Sequence, residues 1–363
     1  MNKKAALISN KPIGFSGGVE RFSFYLHNLL TRKGYEADIY HTENVPLPKT
    51  YSSLFSINQL TYAVSSFVRK RKRDYTLIIS NGGFGWGLGR PCEGQKYFNV
   101  YHGTAAGLKN ATRHLLDYKT YFLAKYLQDG LVERLSGLWK TRIAVSESIK
   151  QEVQKQYRLD AVVVNNGIDT SHFKKSADPL LLKERSGIPQ DRPVGLFAGR
   201  ADFFIKGLDK LTEIISRMPD VFWLLVLGGD TERLPLPGNN IKIVKDVPYE
   251  QMPALYSVAD FALYLSRYEG NAYYLLEALA CGVPVIATPA GAARELYQDD
   301  LLQNLFLPEG IDSPSALDVI IEKCRMCRDS EMAARLGKRG REIVENKYSL
   351  PRWEEAMTAV LKI

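Results

Sequence analysis

The sequence predicts an α/β protein built from two doubly wound domains that face a central cleft. Short apolar stretches of strand length alternate with stretches of helical periodicity through both halves of the chain. This alternation is typical of parallel sheets covered by helices. The chain has 363 residues, enough for two domains that each bury a core. We expect an N-terminal domain over residues 1–165 and a C-terminal domain over 166–349.

Eleven strands are predicted where short apolar runs are bounded by turn residues. They span residues 5–9, 37–41, 77–80, 97–101, 143–145, 161–164, 194–198, 222–227, 241–244, 261–266 and 285–287. Helices are predicted over 19–31, 52–70, 250–258, 272–280, 313–345 and 349–363, with others beginning after Ser146 and at Leu208. The glycine-rich stretch 82–89 is predicted to be a loop, and turn residues in 165–169 predict a bend between the domains.

The charge balance of the chain favours an anionic partner. Lys and Arg number 48 against 40 Asp and Glu, which gives a formal net charge of +8 at pH 7. Such a charge suits a diphosphate ligand, an anionic membrane or nucleic acid. We expect no nucleic-acid partner, because the chain has no zinc-ligand spacing, no RNA-binding aromatic signature and no long basic tail.

The sequence shows no sign of export or of a membrane span, so we expect a cytoplasmic protein, with a monomer as the default. No apolar run has the length of a transmembrane helix, and the run near the N-terminus fits a first strand better than a signal peptide. The cysteines are Cys92, Cys281, Cys324 and Cys327, and we predict free thiols. Because Cys324 and Cys327 have no second pair to complete a metal site, a packing role is favoured.

Glycines precede the first predicted helix. Gly17 and Gly18 follow a strand and a loop rich in Gly, Pro and Ser, and come directly before the helical pattern. A helix N-terminus offers free N–H groups to an anion, and glycine lets a ligand approach the backbone closely. The alternative is that the two glycines only form a turn. The residues alone leave both interpretations open.

Two basic residues lie on either side of one short loop in the second half. Arg200 follows the strand at 194–198, and Lys206 precedes the helix that begins at Leu208. Loops at the carboxyl end of a parallel strand face the ligand crevice, so both cations can point at one anion. Two ordinary surface bases would give the same pattern.

Two acids belong to the stretch 263–288. Glu269 lies in a polar loop after a buried strand, and Glu277 lies in the following helix, with seven residues between them. The start of that helix, near Gly270, is a second place where backbone N–H groups favour an anion. This order of carboxylate, phosphate site and carboxylate suits a nucleotide-sugar. A solvated loop acid and an ordinary helix acid remain the alternative.

These motifs together resemble the GT-B retaining glycosyltransferases of family 4. Residues 269–288 match the E-x7-E signature, Gly199–Gly207 match the GR-x5-KG motif, and Gly17–Arg21 match its GG-V-E-R loop. Residues 166–169 resemble its N-G-I-D linker. Many members have Phe-Gly where this chain has Asn271 and Ala272. The resemblance covers essentially the whole chain and implies two Rossmann-like domains, with the last helix, 350–363, crossing back onto the first.

The resemblance also implies a function. We expect a retaining hexosyltransferase that moves a sugar from a UDP- or GDP-type nucleotide-sugar to a hydroxyl of a glycan or glycolipid, in bacterial cell-surface polysaccharide or lipopolysaccharide synthesis. It implies that the catalytic residues are His102, Arg200, Lys206 and Glu269, and the donor-binding residues Gly17, Gly18, Gly270, Asn271, Ala272, Tyr273 and Glu277. We expect no metal and no cofactor, since the two cations can neutralise the diphosphate and the chain has no D-x-D motif of the metal-dependent kind.

Peripheral contact with an anionic membrane is a further expectation. The predicted helix 52–70 runs into five consecutive basic residues at 69–73, and residues 105–140 carry many aromatic and basic side chains. Some family members dock on membranes through this region. The alternative is a solvated helix end, where cations suit the helix dipole.

Two other classes of function remain open. Another GT-B enzyme, such as an epimerase, would bind the donor but need no acceptor, while a phosphorylase would be far longer. A non-catalytic basic module for membranes or nucleic acid would not need the full set of Arg200, Lys206, Glu269 and Glu277. Stabilisation by a nucleotide separates either enzyme from the module.

Overall fold

The computed structural model describes residues 3–46, 56–115, 117–123, 131–231 and 238–363, apart from the side chains of 56–58, 120 and 123. The start of the predicted helix 52–70 and part of the stretch 105–140 therefore lie outside the described residues. The chain divides into two compact units. Unit 1 comprises Met1–Asn166 with Glu354–Ile363, and unit 2 comprises Gly167–Trp353.

Unit 1 is built on a parallel sheet. Its strands are β1 (Lys4–Ile8), β2 (Glu36–Tyr40), β3 (Leu77–Asn81), β4 (Lys96–Tyr101), β5 (Thr141–Ala144) and β6 (Val162–Val163). Their spatial order among the described residues is β2-β1-β3-β4-β5-β6, and each neighbouring pair is parallel. The order reverses between β1 and β3, and such a switch point opens a ligand crevice at the carboxyl ends of the two strands.

Unit 2 is built on a second parallel sheet. Its strands are β7 (Val194–Arg200), β8 (Phe222–Gly228), β9 (Ile241–Lys245), β10 (Phe261–Tyr264) and β11 (Val285–Ala287). The order in the described part of the unit is β11-β10-β7-β8-β9, again with parallel neighbours. Here the switch point lies between β7 and β10. The two sheets confirm the predicted α/β class with Rossmann-like domains, and each of the eleven predicted strands has a counterpart.

Apolar side chains fill both faces of the central strands. All four residues of β10 are buried, as are the five interior residues of β8. Parallel strands covered by helices on both sides are buried in this way, which is why they read as continuous apolar runs.

The described α-helices of unit 1 are α1 (Gly18–Arg32), α2 (Ser56–Lys70), α3 (Ala105–Ala111), α4 (Tyr118–Leu123), α5 (Arg134–Gly137) and α6 (Glu147–Glu152). Of these, α1, α2 and α6 correspond to predicted helices, whereas α3, α4 and α5 were not predicted. Ser146 caps α6, because its hydroxyl accepts a hydrogen bond from the Ile149 N–H at 3.4 Å, as predicted. The predicted loop 82–89 is wrong in part, since Gly82–Gly85 form a 3₁₀ turn.

Unit 2 and the C-terminus contribute the remaining described helices. They are α7 (Pro179–Arg185), α8 (Leu208–Arg217), α9 (Met252–Ser257), α10 (Tyr273–Ala280), α11 (Ala293–Leu296), α12 (Ala316–Met326), α13 (Ser330–Ile343) and α14 (Leu350–Leu361). The region predicted to be helical, 313–345, is helical over most of its length, but it forms two helices, α12 and α13, with a break at Cys327 that was not predicted. Asp329 then caps α13, accepting the Met332 N–H at 2.8 Å.

The last helix, α14, contributes its final turns to unit 1. Glu354 accepts a hydrogen bond from Arg32 at the end of α1 at 2.5 Å. Lys96, at the start of β4, donates to the carbonyl of Lys362 at 2.9 Å. These two surface contacts attach the second half of α14 and the residues after it to unit 1.

Two general features concern the whole described chain. No helix within the described ranges is long and apolar enough to cross a membrane. The four cysteines are free, as predicted, and Cys281, Cys324 and Cys327 are buried. Burial raises the pKa of Cys327 to about 12, which fits packing rather than redox chemistry.

Candidate functional site

The switch point of unit 2 brings together two loops that the sequence analysis singled out. Arg200 is the last residue of β7, and the loop from β7 to α8 carries Lys206. The other loop connects β10 to α10 and carries Glu269. Because β7 and β10 are hydrogen-bonded neighbours that run parallel, both loops leave the same edge of the sheet. The structure therefore places these three residues at the same edge of the sheet.

Lys206 and Glu269 are in direct contact. The Lys206 ammonium donates a hydrogen bond to Oε1 of Glu269, and the two side chains are only 17% and 18% exposed. The Ser266 hydroxyl lies 3.4 Å from the same oxygen. The predicted diphosphate cation and the predicted sugar carboxylate thus form one paired unit, which their separation of 63 positions in the sequence does not reveal.

The pKa of Lys206 depends on burial and on two charged neighbours besides Glu269. Burial lowers the pKa of Lys206 to about 8, and the Arg200 guanidinium lowers it in the same direction, while Asp202 raises it. Contact with Glu269 also favours the ammonium form. Arg200 is exposed and has no hydrogen-bond or ion-pair partner among the described residues. Its guanidinium is therefore available to an anion close to Lys206.

Gly207 fixes the close approach of the two loops. It precedes α8 with φ of 73°, a left-handed conformation that favours glycine. A Cβ atom at this position would lie 2.4 Å from the carbonyl oxygen of Leu265, just after β10. Any side chain here would push apart the loops that carry Lys206 and Glu269.

Arg267 holds the two loops together, and the sequence analysis missed it. Its guanidinium makes two hydrogen bonds to Asp209 (2.7 and 2.8 Å), two to Asp312 (2.6 and 2.8 Å) and one to the carbonyl of Phe204 (2.6 Å). It also stacks on the Phe204 ring at 3.9 Å, and its backbone N–H donates to the carbonyl of Ile205. The side chain is 6% exposed. We call this set of contacts the Arg267 clamp.

The start of α10 offers the predicted backbone N–H groups. Ala272 occupies the N-cap position without a side-chain cap, and Tyr273 is the first helical residue. Gly291 packs directly beneath this loop, because a Cβ atom there would lie 2.6 Å from the carbonyl oxygen of Gly270. Asn271 is buried. The predicted donor-binding run 270–273 therefore forms one supported turn, and its donor contacts stay a prediction.

Glu277, the residue predicted to bind the ribose, has a buried side chain. It is 4% exposed and accepts a hydrogen bond from the Tyr256 hydroxyl at 2.5 Å. Burial and the nearby carboxylate raise the pKa of Tyr256 well above its usual value, so Tyr256 stays a donor. This contact fixes Glu277 in place, and its role in binding ribose stays a prediction.

In unit 1, the glycine loop differs slightly from the prediction. Gly17 is the N-cap of α1 and Gly18 already begins the helix, one residue earlier than expected. The carboxylate of Glu20 lies beside Gly17, since a Cβ atom on Gly17 would be 2.4 Å from Oε2 of Glu20. An acid in the first turn suits the helix dipole. Anion binding by Gly17 and Gly18 stays a prediction.

His102 lies directly after β4, at the carboxyl edge of the unit 1 sheet. Its Nε2 atom is 2.8 Å from Oδ1 of Asn81, the last residue of β3. Its ring packs edge-on against Phe22 of α1 with centroids 4.8 Å apart. Burial lowers the pKa of His102 to about 3, so the ring is neutral at ordinary pH. Asn81 is a second residue that sequence analysis missed.

The sequence predicted no metal ligands. Among the described residues, no group of three or more His, Cys, Asp or Glu side chains is arranged to hold a metal ion.

Comparison with known proteins matches both units to glycosyltransferases. The family model "Glycosyltransferase Family 4" matches residues 16–172, and the model "Glycosyl transferases group 1" matches residues 180–343. A curated relative, the D-inositol 3-phosphate glycosyltransferase of Xylanimonas cellulosilytica, is 29% identical over 243 residues, which are 61% of this chain and 56% of the relative. The chain spans about half the length of the curated relatives it matches.

Solved structures match over nearly the whole chain. Sucrose-phosphate synthase from Thermosynechococcus elongatus superposes with a TM-score of 0.78 at 21% identity, covering 99% of this chain and 98% of that protein. The Anabaena protein HepE, in complex with UDP and glucose, gives a TM-score of 0.71 at 17% identity and covers 99% and 100%. At these identities the likeness concerns the fold. With both halves matched by glycosyltransferase models, the chain belongs to glycosyltransferase family 4 and has the GT-B fold.

Proposed function

We propose that this protein transfers a hexosyl group from a nucleoside diphosphate sugar to an acceptor hydroxyl, with retention of the anomeric configuration and without a metal. The observation that carries the proposal is the grouping of Arg200, Lys206 and Glu269 at the switch point of unit 2. Two cations at one loop suit a diphosphate, and a carboxylate beside them suits sugar hydroxyls. The UDP complex of HepE supports a UDP-type donor, with a GDP-type donor as the alternative.

In the proposed reaction, the leaving diphosphate is the centre of charge stabilisation. The bond from the anomeric carbon to the phosphate oxygen breaks, and the bond to the acceptor oxygen forms on the same face of the sugar. The acceptor proton passes to the leaving phosphate oxygen. Arg200 and Lys206 stabilise the negative charge that develops there, and the N–H groups at the start of α10 assist. His102 contacts a sugar hydroxyl, and Glu277 binds the ribose.

The proposed acceptor is a glycan or glycolipid used in bacterial cell-surface polysaccharide or lipopolysaccharide synthesis. The D-inositol 3-phosphate glycosyltransferase named above supports an acceptor that offers several hydroxyls, as a glycan or glycolipid does. A cytoplasmic enzyme, peripheral on the membrane, would meet both the nucleotide-sugar and a lipid acceptor. A monomer is the proposed state.

The first test is a thermal-shift screen with UDP, GDP, ADP and their sugar conjugates, with magnesium or with EDTA. We expect one base to raise the unfolding temperature clearly and equally with and without metal, because ligand binding stabilises the folded state. If no nucleotide raises the unfolding temperature, the proposal is contradicted, and a non-catalytic basic binding protein becomes the favoured interpretation. A shift that required magnesium would contradict the metal-free part.

With a donor in hand, Arg200→Ala and Lys206→Ala should each lower kcat/KM by at least about 100-fold, as loss of a charge-stabilising group does. The matched control is Lys210→Ala on α8, whose partner Glu213 is half-exposed, and it should keep near wild-type activity. Circular dichroism checks the fold of each variant. Full activity in either of the first two variants would remove the proposed mechanism.

The pKa of Lys206 predicts a pH dependence of donor binding. The ammonium must be charged to hold the diphosphate, and its pKa is about 8. Affinity should therefore be flat from pH 7 to about 8 and fall by up to about tenfold for each further pH unit. Lys206→Arg keeps the charge, so its affinity should stay flat to higher pH. Ionisation of the nucleotide itself affects both proteins equally, so it does not contribute to the difference between their affinity curves. An identical decline in both would contradict the assignment to Lys206.

The Arg267 clamp predicts a second effect on binding. Arg267→Lys keeps the charge but loses the planar fork and the stacking on Phe204, so the loop that carries Lys206 loses its support. We expect about tenfold weaker nucleotide binding by calorimetry. Arg217→Lys, whose partner Asp318 is exposed, is the control and should bind normally. Wild-type affinity in Arg267→Lys would show that the clamp is dispensable.

Exposed aromatic and basic side chains in unit 1 favour the membrane contact. Tyr118 is 74% exposed and stacks with Phe122, while Leu115 is 58% exposed. The last turn of α2 carries basic residues that continue to residue 73. Exposed apolar side chains and clustered cations are both features of surfaces that dock on anionic lipid.

Replacing the five bases at 69–73 with glutamine should weaken binding to vesicles that contain anionic phosphatidylglycerol by roughly 1,000-fold or more, since each surface cation contributes about 1 kcal/mol. Phosphatidylcholine vesicles serve as the neutral reference in a sedimentation assay. The control changes five exposed bases of unit 2 to glutamine: Lys174, Lys175, Arg325, Arg335 and Lys338. Equal loss of binding in both variants would indicate that the net charge of the protein attracts it to the vesicles. Unchanged binding in the first variant would show that residues 69–73 are only a solvated helix end.

A further inference from the structure

A chain of polar side chains lies at the switch point of unit 1. Asn81 ends β3 and is 5% exposed, and Ser23 on α1 is 1% exposed. The Asn81 amide nitrogen donates to the carbonyl oxygen of Ile8 at 3.0 Å and to the Ser23 hydroxyl at 3.1 Å. Its amide oxygen faces Nε2 of His102 at 2.8 Å. Asn81 therefore joins β1, α1 and His102.

These contacts settle which end of the Asn81 amide faces His102. A backbone carbonyl such as that of Ile8 can only accept, so the side of Asn81 that meets it must be the NH₂ group. The oxygen is left for His102, and an amide oxygen can only accept. Nε2 of His102 must therefore carry a hydrogen. The hydrogen-bond network assigns this tautomer.

The other ring nitrogen then has a lone pair. In a neutral imidazole with hydrogen on Nε2, Nδ1 is an acceptor. Nδ1 makes no hydrogen bond to a described residue and is not among the side-chain nitrogens sealed from solvent. The edge-on contact with Phe22 fixes the plane of the ring. The structure thus presents one acceptor of defined direction.

We propose that Asn81 is a positioning residue that presents Nδ1 of His102 as a hydrogen-bond acceptor, so that His102 recognises a hydroxyl of the substrate and not an anionic oxygen. A hydroxyl can donate to this lone pair, whereas a phosphate or carboxylate oxygen would meet it with repulsion. The inference rests on the proposed function, in which His102 contacts a sugar hydroxyl. It adds the direction of that hydrogen bond and the residue that sets it.

The surroundings of His102 keep it in this state across neutral pH. The elements packed against it, α1 and β3, bring Phe22 and Asn81 to the ring, and no acid or base shifts its pKa. Burial alone lowers the pKa of His102, so the ring does not become an imidazolium that would donate from both nitrogens.

The first test reads the tautomer directly, without an activity assay. Nitrogen-15 NMR of the histidine side chains, with His102→Gln to assign the signal, should show His102 neutral with hydrogen on Nε2 from pH 5 to 8. The chain has five histidines, which keeps the spectrum simple. Hydrogen on Nδ1, or an imidazolium at pH 6, would overturn the inference whatever the enzyme does.

The second test changes the direction of the hydrogen bond. In Asn81→Asp, a carboxylate beside Nε2 raises the pKa of His102, so at low pH the ring is charged and Nδ1 becomes a donor. We expect kcat/KM to fall about 10- to 100-fold at pH 6 and to recover as pH rises, with the His102 NMR titration following the same curve. Nucleotide-induced stabilisation should be unchanged, because unit 2 holds the nucleotide.

A merely structural role for Asn81 would lower activity equally at every pH, and that result would overturn the inference. Circular dichroism checks the fold of Asn81→Asp, and if this variant does not fold, the wild-type NMR result decides alone. A correct tautomer in a protein that no nucleotide stabilises would instead show that the proposed function has failed.

Discussion

The arrangement of the unit 2 site depends on the Arg267 clamp. One guanidinium, 6% exposed, faces Asp209 at the start of α8, Asp312 beyond β11 and the carbonyl of Phe204 in the loop after β7. Burial by itself would favour loss of the charge, but the hydrogen bonds to the two carboxylates raise the pKa of Arg267. Since a buried charge that loses its partner is costly, the three segments are held in one register. That register brings Lys206 to Glu269.

A second constraint acts in both units and comes from parallel pairing. Parallel strands place all their carboxyl ends on one edge, so residues that follow different strands meet there. In unit 2 this edge gathers the loops after β7 and β10, and in unit 1 it gathers Asn81 and His102 after β3 and β4. Local sequence determines which residues end each strand. The order of strands in the sheet determines which of those residues become neighbours.

Features that depend on local sequence could be predicted, whereas features that depend on the order of strands in the sheet could not. The strands were found because buried parallel strands are short apolar runs, a local signal. Helix α7 was missed because Asp178 and Pro179, its cap and first residue, also suit a turn. The break at Cys327 was missed because apolar periodicity continues on both sides of it.

The residues of the candidate site also divide into those found through local motifs and those whose contacts depend on strand order. Motif matches assigned Arg200 and Lys206 together to the diphosphate and assigned Glu269 separately to sugar hydroxyls. Arg267 looked like one more polar loop residue, because its partners lie 45 and 58 positions away. Asn81 lies 21 positions from His102, at the end of a strand that carried no recognised motif. Contacts of this range depend on strand order, which residue patterns alone do not encode.

If the proposed function is correct, the pairing of Lys206 with Glu269 affects the order in which the diphosphate and the sugar of the donor are recognised. While the ammonium holds Oε1 of Glu269, that carboxylate is partly neutralised and less available to sugar hydroxyls. A diphosphate placed between Arg200 and Lys206 competes for the same ammonium and raises its pKa, because an anion favours the charged form. Binding of the diphosphate therefore loosens the hold of Lys206 on Glu269. The carboxylate becomes free to accept from the sugar when the nucleotide is in place, which couples recognition of the two halves of the donor.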